Sequence, residues 1–457
     1  MPSTAYRHCF GSGIGVILIS LACSPPGTVG SKAFTGGEGG PGDDTGPGSD
    51  GSAGSSGNDS SSDASVGDDS VGDDSVGDDS SASGLASEGS SSVSGSDGVT
   101  SDTEDPTGGG EIKFDMPPIG GDTTGNPGDG PCGCGNEDWS YVWLANSMES
   151  TVTKLNTRTL VEEGRYITRP DKSGNPSRTS VSIDGRAVAV ANRNGGIVKI
   201  WARPELCAGG NTSAGKDDIK AWGTDDCVAW YTAFSATSQR PIQWTSGALN
   251  PATCRYENQK IWTTTCSGGA WVHRLNGDTG MVEDEFPVPE ISCFGYGAYG
   301  GAVDAYGNFW FHDFESDTKV RVDFNTLGYE VFHGNGVGYG VIVDTKGRTW
   351  WSGAGSALLS RFDYATKTWG SAPVSDNGGL AQDLQGRIWA AQGNELISVD
   401  METLVVGDRL MIPGSQLKGV SVDIDGYIWA VPAGSRAFKI DPNDFTMESY
   451  DGLNFAY

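Results

Sequence analysis

One phrase recurs through the last third of the chain: Asp, two residues, Gly, two residues, Trp. It reads Asp304-Ala-Tyr-Gly307-Asn-Phe-Trp310, Asp344-Thr-Lys-Gly347-Arg-Thr-Trp350, Asp383-Leu-Gln-Gly386-Arg-Ile-Trp389 and Asp423-Ile-Asp-Gly426-Tyr-Ile-Trp429. Its tryptophans stand 40, 39 and 40 residues apart. So regular a period marks a repeat architecture and overrides the two or three domains that length alone suggests.

Each unit can be read from its chemistry. A short apolar stretch such as Val341-Ile-Val343 leads into the phrase. Asp-x-x-Gly is a tight turn, because Asp bonds its own following backbone and Gly accepts positive φ. A second strand rich in aromatic and β-branched residues follows, as in Asn308-Phe-Trp-Phe311. Lys319-Val-Arg-Val-Asp323 and Tyr329-Glu-Val-Phe332 supply a third and a fourth strand. Four short antiparallel strands make one propeller blade, and the Trp is expected to fill the wedge between neighbouring blades.

Fainter copies of the Trp strand precede these four, at Tyr141-Val-Trp143, Ala187-Val-Ala189 and Lys260-Ile-Trp262. The anchors are then 143, 189, 262, 310, 350, 389 and 429, with gaps of 46, 73, 48, 40, 39 and 40. The expected fold is all-β, a seven-bladed propeller over 139–457 with an insertion at about 203–255. No partner strand stands just before Tyr141. The last residues, Gly452-Leu-Asn-Phe-Ala-Tyr457, resemble an inner strand without a following turn. They are expected to pair beside Tyr141 and close the ring, removing exposed sheet edges.

Two segments precede the repeats. Residues 1–23 carry Arg7 and His8, an apolar run from Ile14 to Ala22, then Cys23. The run is too short to span a bilayer and reads as a signal-peptide core. Residues 24–138 are Gly, Ser and Asp-rich, with 23 acidic and two basic residues, a net of −21 out of −29 for the whole chain. Such a segment cannot bury enough apolar surface to offset its ordering entropy and reads as a disordered linker. Its root-mean-square reach would be on the order of 55–60 Å. The acidity argues against nucleic acid as a partner.

Seven cysteines follow Cys23, and four of them, Cys207, Cys227, Cys254 and Cys266, lie in or beside the insertion. In an exported chain they read as disulfides stapling a long loop, with Cys207–Cys227 and Cys254–Cys266 the expected pairs, although spacing does not determine connectivity. Cys132-Gly-Cys134 is too tightly spaced for a zinc motif.

The repeat, followed by a strand ending in Ile-Asp or Val-Asp, resembles the NHL, gluconolactonase-type and streptogramin-lyase (virginiamycin B lyase-like) propellers over about 139–457. Leu21-Ala22-Cys23 resembles a bacterial lipobox, which implies cleavage and a lipid on Cys23. Lipobox, acidic linker and propeller together resemble surface lipoproteins of myxobacteria. By resemblance to Gram-negative lipoproteins, Ser24 implies the outer membrane or cell surface. Resemblance to streptogramin lyases implies His and Glu on propeller loops around a divalent metal. His312 and Glu315 are the candidates for such proton transfer here. The residues themselves favour His312 as a buried strand residue on the Trp face. The ligands of the gluconolactonase metal site have no residue-by-residue match, and no metal site is assigned.

Two functions are compatible with this. One is a monomeric surface propeller that binds a protein, glycan or small ligand at one channel mouth, without catalysis or cofactor. The other is a metal-assisted lyase or lactonase using calcium or magnesium. A binding mouth can be placed: three residues after each anchor the second strand ends, at Asn146, Asn192, Thr265, Asp313, Gly353, Gln392 and Pro432. The loops entering the inner strands carry Arg178, Tyr299, Tyr339 and Lys418. Polar groups converging from several blades on one mouth make a binding site, and the alternative is that these residues merely solvate loop ends.

Overall fold

In all four clear repeats the Asp carboxylate is buried and ties the turn to the Trp. Asp383 Oδ1 accepts the backbone N–H groups of Gln385 (3.0 Å) and Arg387 (2.8 Å), and Oδ2 accepts Trp389 Nε1 (2.8 Å) and Arg387 Nε (2.6 Å). Trp310, Trp350 and Trp429 donate in the same way to Asp304, Asp344 and Asp423, at 3.1, 2.9 and 2.9 Å. The four turn glycines, Gly307, Gly347, Gly386 and Gly426, have φ between 79° and 89°, which a side chain would strain. The repeat is therefore a buried hydrogen-bonded tie as well as a turn.

This computed structural model describes residues 139–456, except 251, 254, 335, 354–357, 376 and 377. Every described residue belongs to one compact unit. The expected signal peptide, Cys23, the linker and Cys254 lie outside the described residues.

Five blades are separate four-stranded antiparallel sheets, and the four strands of blade 7 continue into the three of blade 1 as one seven-stranded sheet. Their inner strands are Pro176–Val181, Ile242–Trp244, Ala298–Val303, Gly338–Val343, Leu380–Gln382 and Leu417–Val422, in blades 2 to 7. Blade 1 has three strands, Tyr141–Asn146, Thr151–Asn156 and Glu162–Ile167. Seven apolar clusters lie one between each pair of successive blades, including blade 7 with blade 1. That set of interfaces is what a closed ring of seven requires. Trp143, Trp262, Trp310, Trp350, Trp389 and Trp429 each sit in the cluster shared with the following blade. Blade 2 has Ala189 at this position, and Trp244 from blade 3 occupies the shared cluster instead.

Three expectations need correction. The C-terminal strand does pair beside Tyr141–Asn146, as expected, but only at the first pair of an inner strand and not along its length. Met447–Ala456 pairs with Gly434–Ile440 as the outer strand of blade 7 and meets blade 1 at the single pair Asn146–Ala456. On the outer strand of blade 1, Glu162 accepts the Tyr450 hydroxyl (2.6 Å) and Arg165 donates to the Gly452 carbonyl (2.6 Å). These bonds draw the segment across the seam between the blades. Cys266 pairs with Cys293, not Cys254, whereas Cys207 does pair with Cys227. Cys266 ends the second strand of blade 3, and Cys293 lies in the loop leading to blade 4, with Cα atoms 5.5 Å apart. The insertion is two insertions. One, at 202–227, joins the third and fourth strands of blade 2, and the other carries the hairpin Ala248–Asn250 and Arg255–Glu257 of blade 3.

The tie can be weighed by substitution. Asp383→Ala leaves Trp389 Nε1 and the Arg387 guanidinium without their carboxylate in a fully buried position. The expected cost is roughly 3–5 kcal/mol, against about 1 kcal/mol for Trp389→Phe beyond its lost packing. Urea unfolding of the two variants checks this, and a loss below about 1 kcal/mol for Asp383→Ala would contradict it.

Candidate functional site

The strand register defines one end of the ring. In blades 2, 4, 5 and 7 the inner strand begins opposite the end of the second strand: Pro176 with Asn192, Ala298 with Asp313, Gly338 with Gly353, Leu417 with Pro432. At that end all four inner strands break register by one residue, between Pro176 and Arg178, Ala298 and Gly301, Gly338 and Val341, and Leu417 and Gly419. Such bulges re-aim side chains. Arg178, Tyr299, Tyr339 and Lys418 lie within or at the edge of these irregularities.

These four side chains meet across the ring. The Arg178 guanidinium carbon lies 5.0 Å from the centre of the Tyr299 ring and 5.6 Å from that of Tyr339. Lys418 Nζ lies 5.3 Å from the Tyr339 ring, and the two tyrosine rings are 5.0 Å apart. All four are at most 2% exposed. Two residues that sequence inspection did not single out join them. Arg240, just before the short inner strand of blade 3, places its guanidinium carbon 5.1 Å from both the Tyr299 and Tyr296 rings. Arg193, next to Asn192, acts on Arg178 as a like charge. Burial, with Arg193 and Arg240 adding to it, pulls the Arg178 guanidinium down to about 10, so it is still a cation at neutral pH.

The polar residues at the strand ends behave differently. Asn146 donates to the Thr151 and Thr153 hydroxyls and accepts the Asn454 backbone N–H (3.0 Å). Asn192 donates to the Thr168 and Gly196 carbonyls and accepts the Thr168 hydroxyl (2.7 Å). Asp313 accepts the Ser292 and Glu315 backbone N–H groups and the Ser316 hydroxyl. Thr265 pairs with His273 at 2.8 Å. These residues hold their own loops. Gln392 is half-buried, and its Oε1 meets no hydrogen-bond partner among the described residues.

His312 and Glu315 are not brought together. His312 is fully buried, and the Gly300 N–H donates to its Nε2 (3.1 Å), which leaves Nδ1 to donate to the Asp313 carbonyl (3.1 Å). Glu315 is exposed and accepts the Tyr296 N–H (3.2 Å). His312 thus braces the bulge of blade 4. Among the described residues, no group of three or more His, Cys, Asp or Glu side chains is placed to hold a metal ion.

No family model matches the chain, and no curated protein sequence matches it. Solved structures similar to it include virginiamycin B lyase from Staphylococcus aureus, with 14% identity over 47% of this chain and 69% of that one, and a TM-score of 0.38. BamB from Moraxella catarrhalis is 12% identical over 68% of this chain and 82% of that one, with a TM-score of 0.42. A chain of a mitotic checkpoint complex is 12% identical over 69% and 86%, with a TM-score of 0.49. Likenesses this distant decide nothing about activity, and the propeller assignment rests on the strand pairing itself.

The brace makes a pH prediction. Burial, with the Lys319 charge adding to it, pulls the His312 imidazole down to about 3, from an ordinary 6.5. The unfolded chain therefore takes up a proton between those values that the folded chain refuses. The stability from this group is fully present above pH 6.5 and is lost as pH falls towards 3. At pH 4.5 the loss relative to pH 7 is about 2–3 kcal/mol. His312→Gln should remove that part of the acid sensitivity in urea melts at the two pH values. An unchanged difference between them would count against a buried neutral imidazole.

Proposed function

We propose that this chain is an exported, lipid-anchored surface protein whose propeller binds a ligand at the channel end defined above, without catalysis. The observation that carries the binding proposal is the convergence, through four inner-strand bulges at one end, of Arg178, Tyr299, Tyr339 and Lys418 into one contact cluster. A propeller does not need these residues to close: blade 6 meets the same position with Gly378 and Gly379. Large cationic and aromatic side chains gathered there fit a ligand site, in which rigid rings give contact area and polar heads give direction. The tight packing favours a small molecule or a single inserted group over a broad protein or glycan surface. The buried, neutral His312 favours binding over proton transfer. The repeat supports kinship with the NHL, gluconolactonase-type and streptogramin-lyase propellers at the level of blade construction.

Anchoring is supported by the apolar run ending in Leu21-Ala22-Cys23 and by the two disulfides, which suit an oxidising compartment. The acidic segment 24–138 would hold the ring away from a membrane. Cys23→Ala is expected to move the protein from the membrane fraction to the soluble fraction, or to block its processing. Membrane fractionation at mature size in that variant would remove the anchor from the proposal.

For the site, wild type and the double variant Tyr339→Leu/Lys418→Met are to be titrated by calorimetry against neutral oligosaccharides, short peptides and small organic acids. At least one class should bind wild type and lose tenfold or more in affinity in the variant, with circular dichroism unchanged. If no class shows a variant-sensitive affinity, the channel end is not the binding site.

A further inference from the structure

Buried arginines elsewhere in this propeller are neutralised. Arg165 pairs with Glu162 at 2.7 Å and Glu149 at 3.0 Å. Arg348 pairs with Asp344 at 2.7 Å and Glu402 at 2.9 Å. Arg178 breaks the pattern. It is 2% exposed, and its Nε and Nη1 meet no acceptor among the described residues. Its Nη2 has one long contact, 3.5 Å to the Tyr339 carbonyl. The groups that act on it most are Tyr299, Tyr339, Arg193 and Arg240, none of them a carboxylate.

A buried charge without a partner is costly, and gathering like charges beside it raises the cost. The Tyr299 and Tyr339 rings offset part of it through their π faces but accept no N–H bond in the guanidinium plane.

We infer that the channel end is an oxyanion site, in which the guanidinium fork of Arg178 receives a carboxylate or phosphate group, with Arg240 and Arg193 beside it. This rests on the channel-end binding reading and adds the chemical class of its ligand. The free Nε and Nη1 are the groups a planar fork uses for an anion, and the guanidinium carbons of Arg178 and Arg240 lie 5.0 and 5.1 Å from the centre of the same Tyr299 ring. In a dry setting such charge-assisted bonds are strong, and a planar bidentate donor selects oxyanions over chloride.

The test uses the full chain at pH 7.5 and constant ionic strength. Thermal unfolding is followed in sodium chloride alone and with sodium phosphate or sodium succinate replacing part of it. Wild type should gain a shift that grows with the logarithm of anion concentration and reaches roughly 3–5 °C at a hundredfold excess over Kd in phosphate, succinate or both. Response to phosphate alone assigns a phosphoryl group, and response to succinate alone a carboxylate. Arg178→Met should abolish the shift while melting no lower than wild type in chloride, because an apolar side chain replaces an unpaired buried charge. Arg178→Lys, which keeps the charge and loses the fork, should weaken the midpoint tenfold or more. An anion shift that survives in Arg178→Met overturns the inference, as does a wild type that responds to neither anion more than to chloride. If a neutral ligand binds in the channel-end titration, is lost in Tyr339→Leu/Lys418→Met, and anions do nothing, the oxyanion inference fails and the channel-end reading stands.

Discussion

The bond from the anchor Trp to the Asp six residues before it, made in blades 4 to 7, is the contact on which the order of that half of the ring depends. The Asp sits at the tip between the inner and second strands of a blade, and the Trp reaches the apolar seam with the next blade. One carboxylate thus fixes the turn through backbone N–H bonds and orients the indole that fills the seam. Burying a carboxylate is unfavourable unless its lone pairs are met. Blades 5 and 6 meet them with an arginine four residues on, Arg348 and Arg387, and blade 4 does so with Asn308 Nδ2 at 3.0 Å. Blade 7 has Tyr427 at that position, and burial pushes the Asp423 carboxyl up. The tie therefore survives changes at its second donor, which is why the phrase tolerates variation at every position except Asp, Gly and Trp.

Where the tie is absent, the blade was harder to read. Ser182 stands in place of the Asp in blade 2, and its hydroxyl bonds Asp184 and the Ala187 N–H. Trp262 has no Asp before it and instead donates to the Gly307 carbonyl of the next blade (3.0 Å). The seven-fold count was still legible, because the apolar strands around Trp143, Ala189 and Trp262 keep the period even when the turn chemistry changes. The ring closure and the Cys266–Cys293 bridge were not. Both are decided by which distant segments lie side by side in space, and local patterning carries no such information.

The candidate site shows a sharper version of the same limit. Asn146, Asn192 and Asp313 looked like ligand groups because they are polar residues at the ends of apolar strands. A side chain that secures its own loop has that same signature. Arg178, Tyr299, Tyr339 and Lys418 were legible for a different reason: large polar or aromatic residues stood where the inner strand enters the ring, a position that blade 6 fills with glycine. Arg240 has the same placement, ahead of Ile242–Trp244, but the hairpin inserted after that short strand disguised its register. Arg193 lies one residue past a strand end and gave no signal of its own.

The unpaired guanidinium and the seven apolar seams bear on one another. A flexible protein would relax around an uncompensated buried charge, letting in water or swinging the side chain out. Here Arg178 lies between blades sealed on both sides, with blade 2 packed against blade 1 and blade 3 through fully buried residues such as Val188, Val190, Ala189 and Ile197. Polar stitches between neighbouring blades add to this: Gln243 accepts the Ser180 hydroxyl and donates to the Gly301 carbonyl, and Ser352, on the second strand of blade 5, donates to the Gly378 carbonyl of blade 6. A scaffold that cannot collapse holds the cation in place without its counterion, and donors held that way need no reorganisation when an anion arrives. Closure of the ring, which the seven apolar seams secure and the Asp–Trp ties of blades 4 to 7 reinforce, is in this sense what makes an unneutralised charge tolerable at its centre.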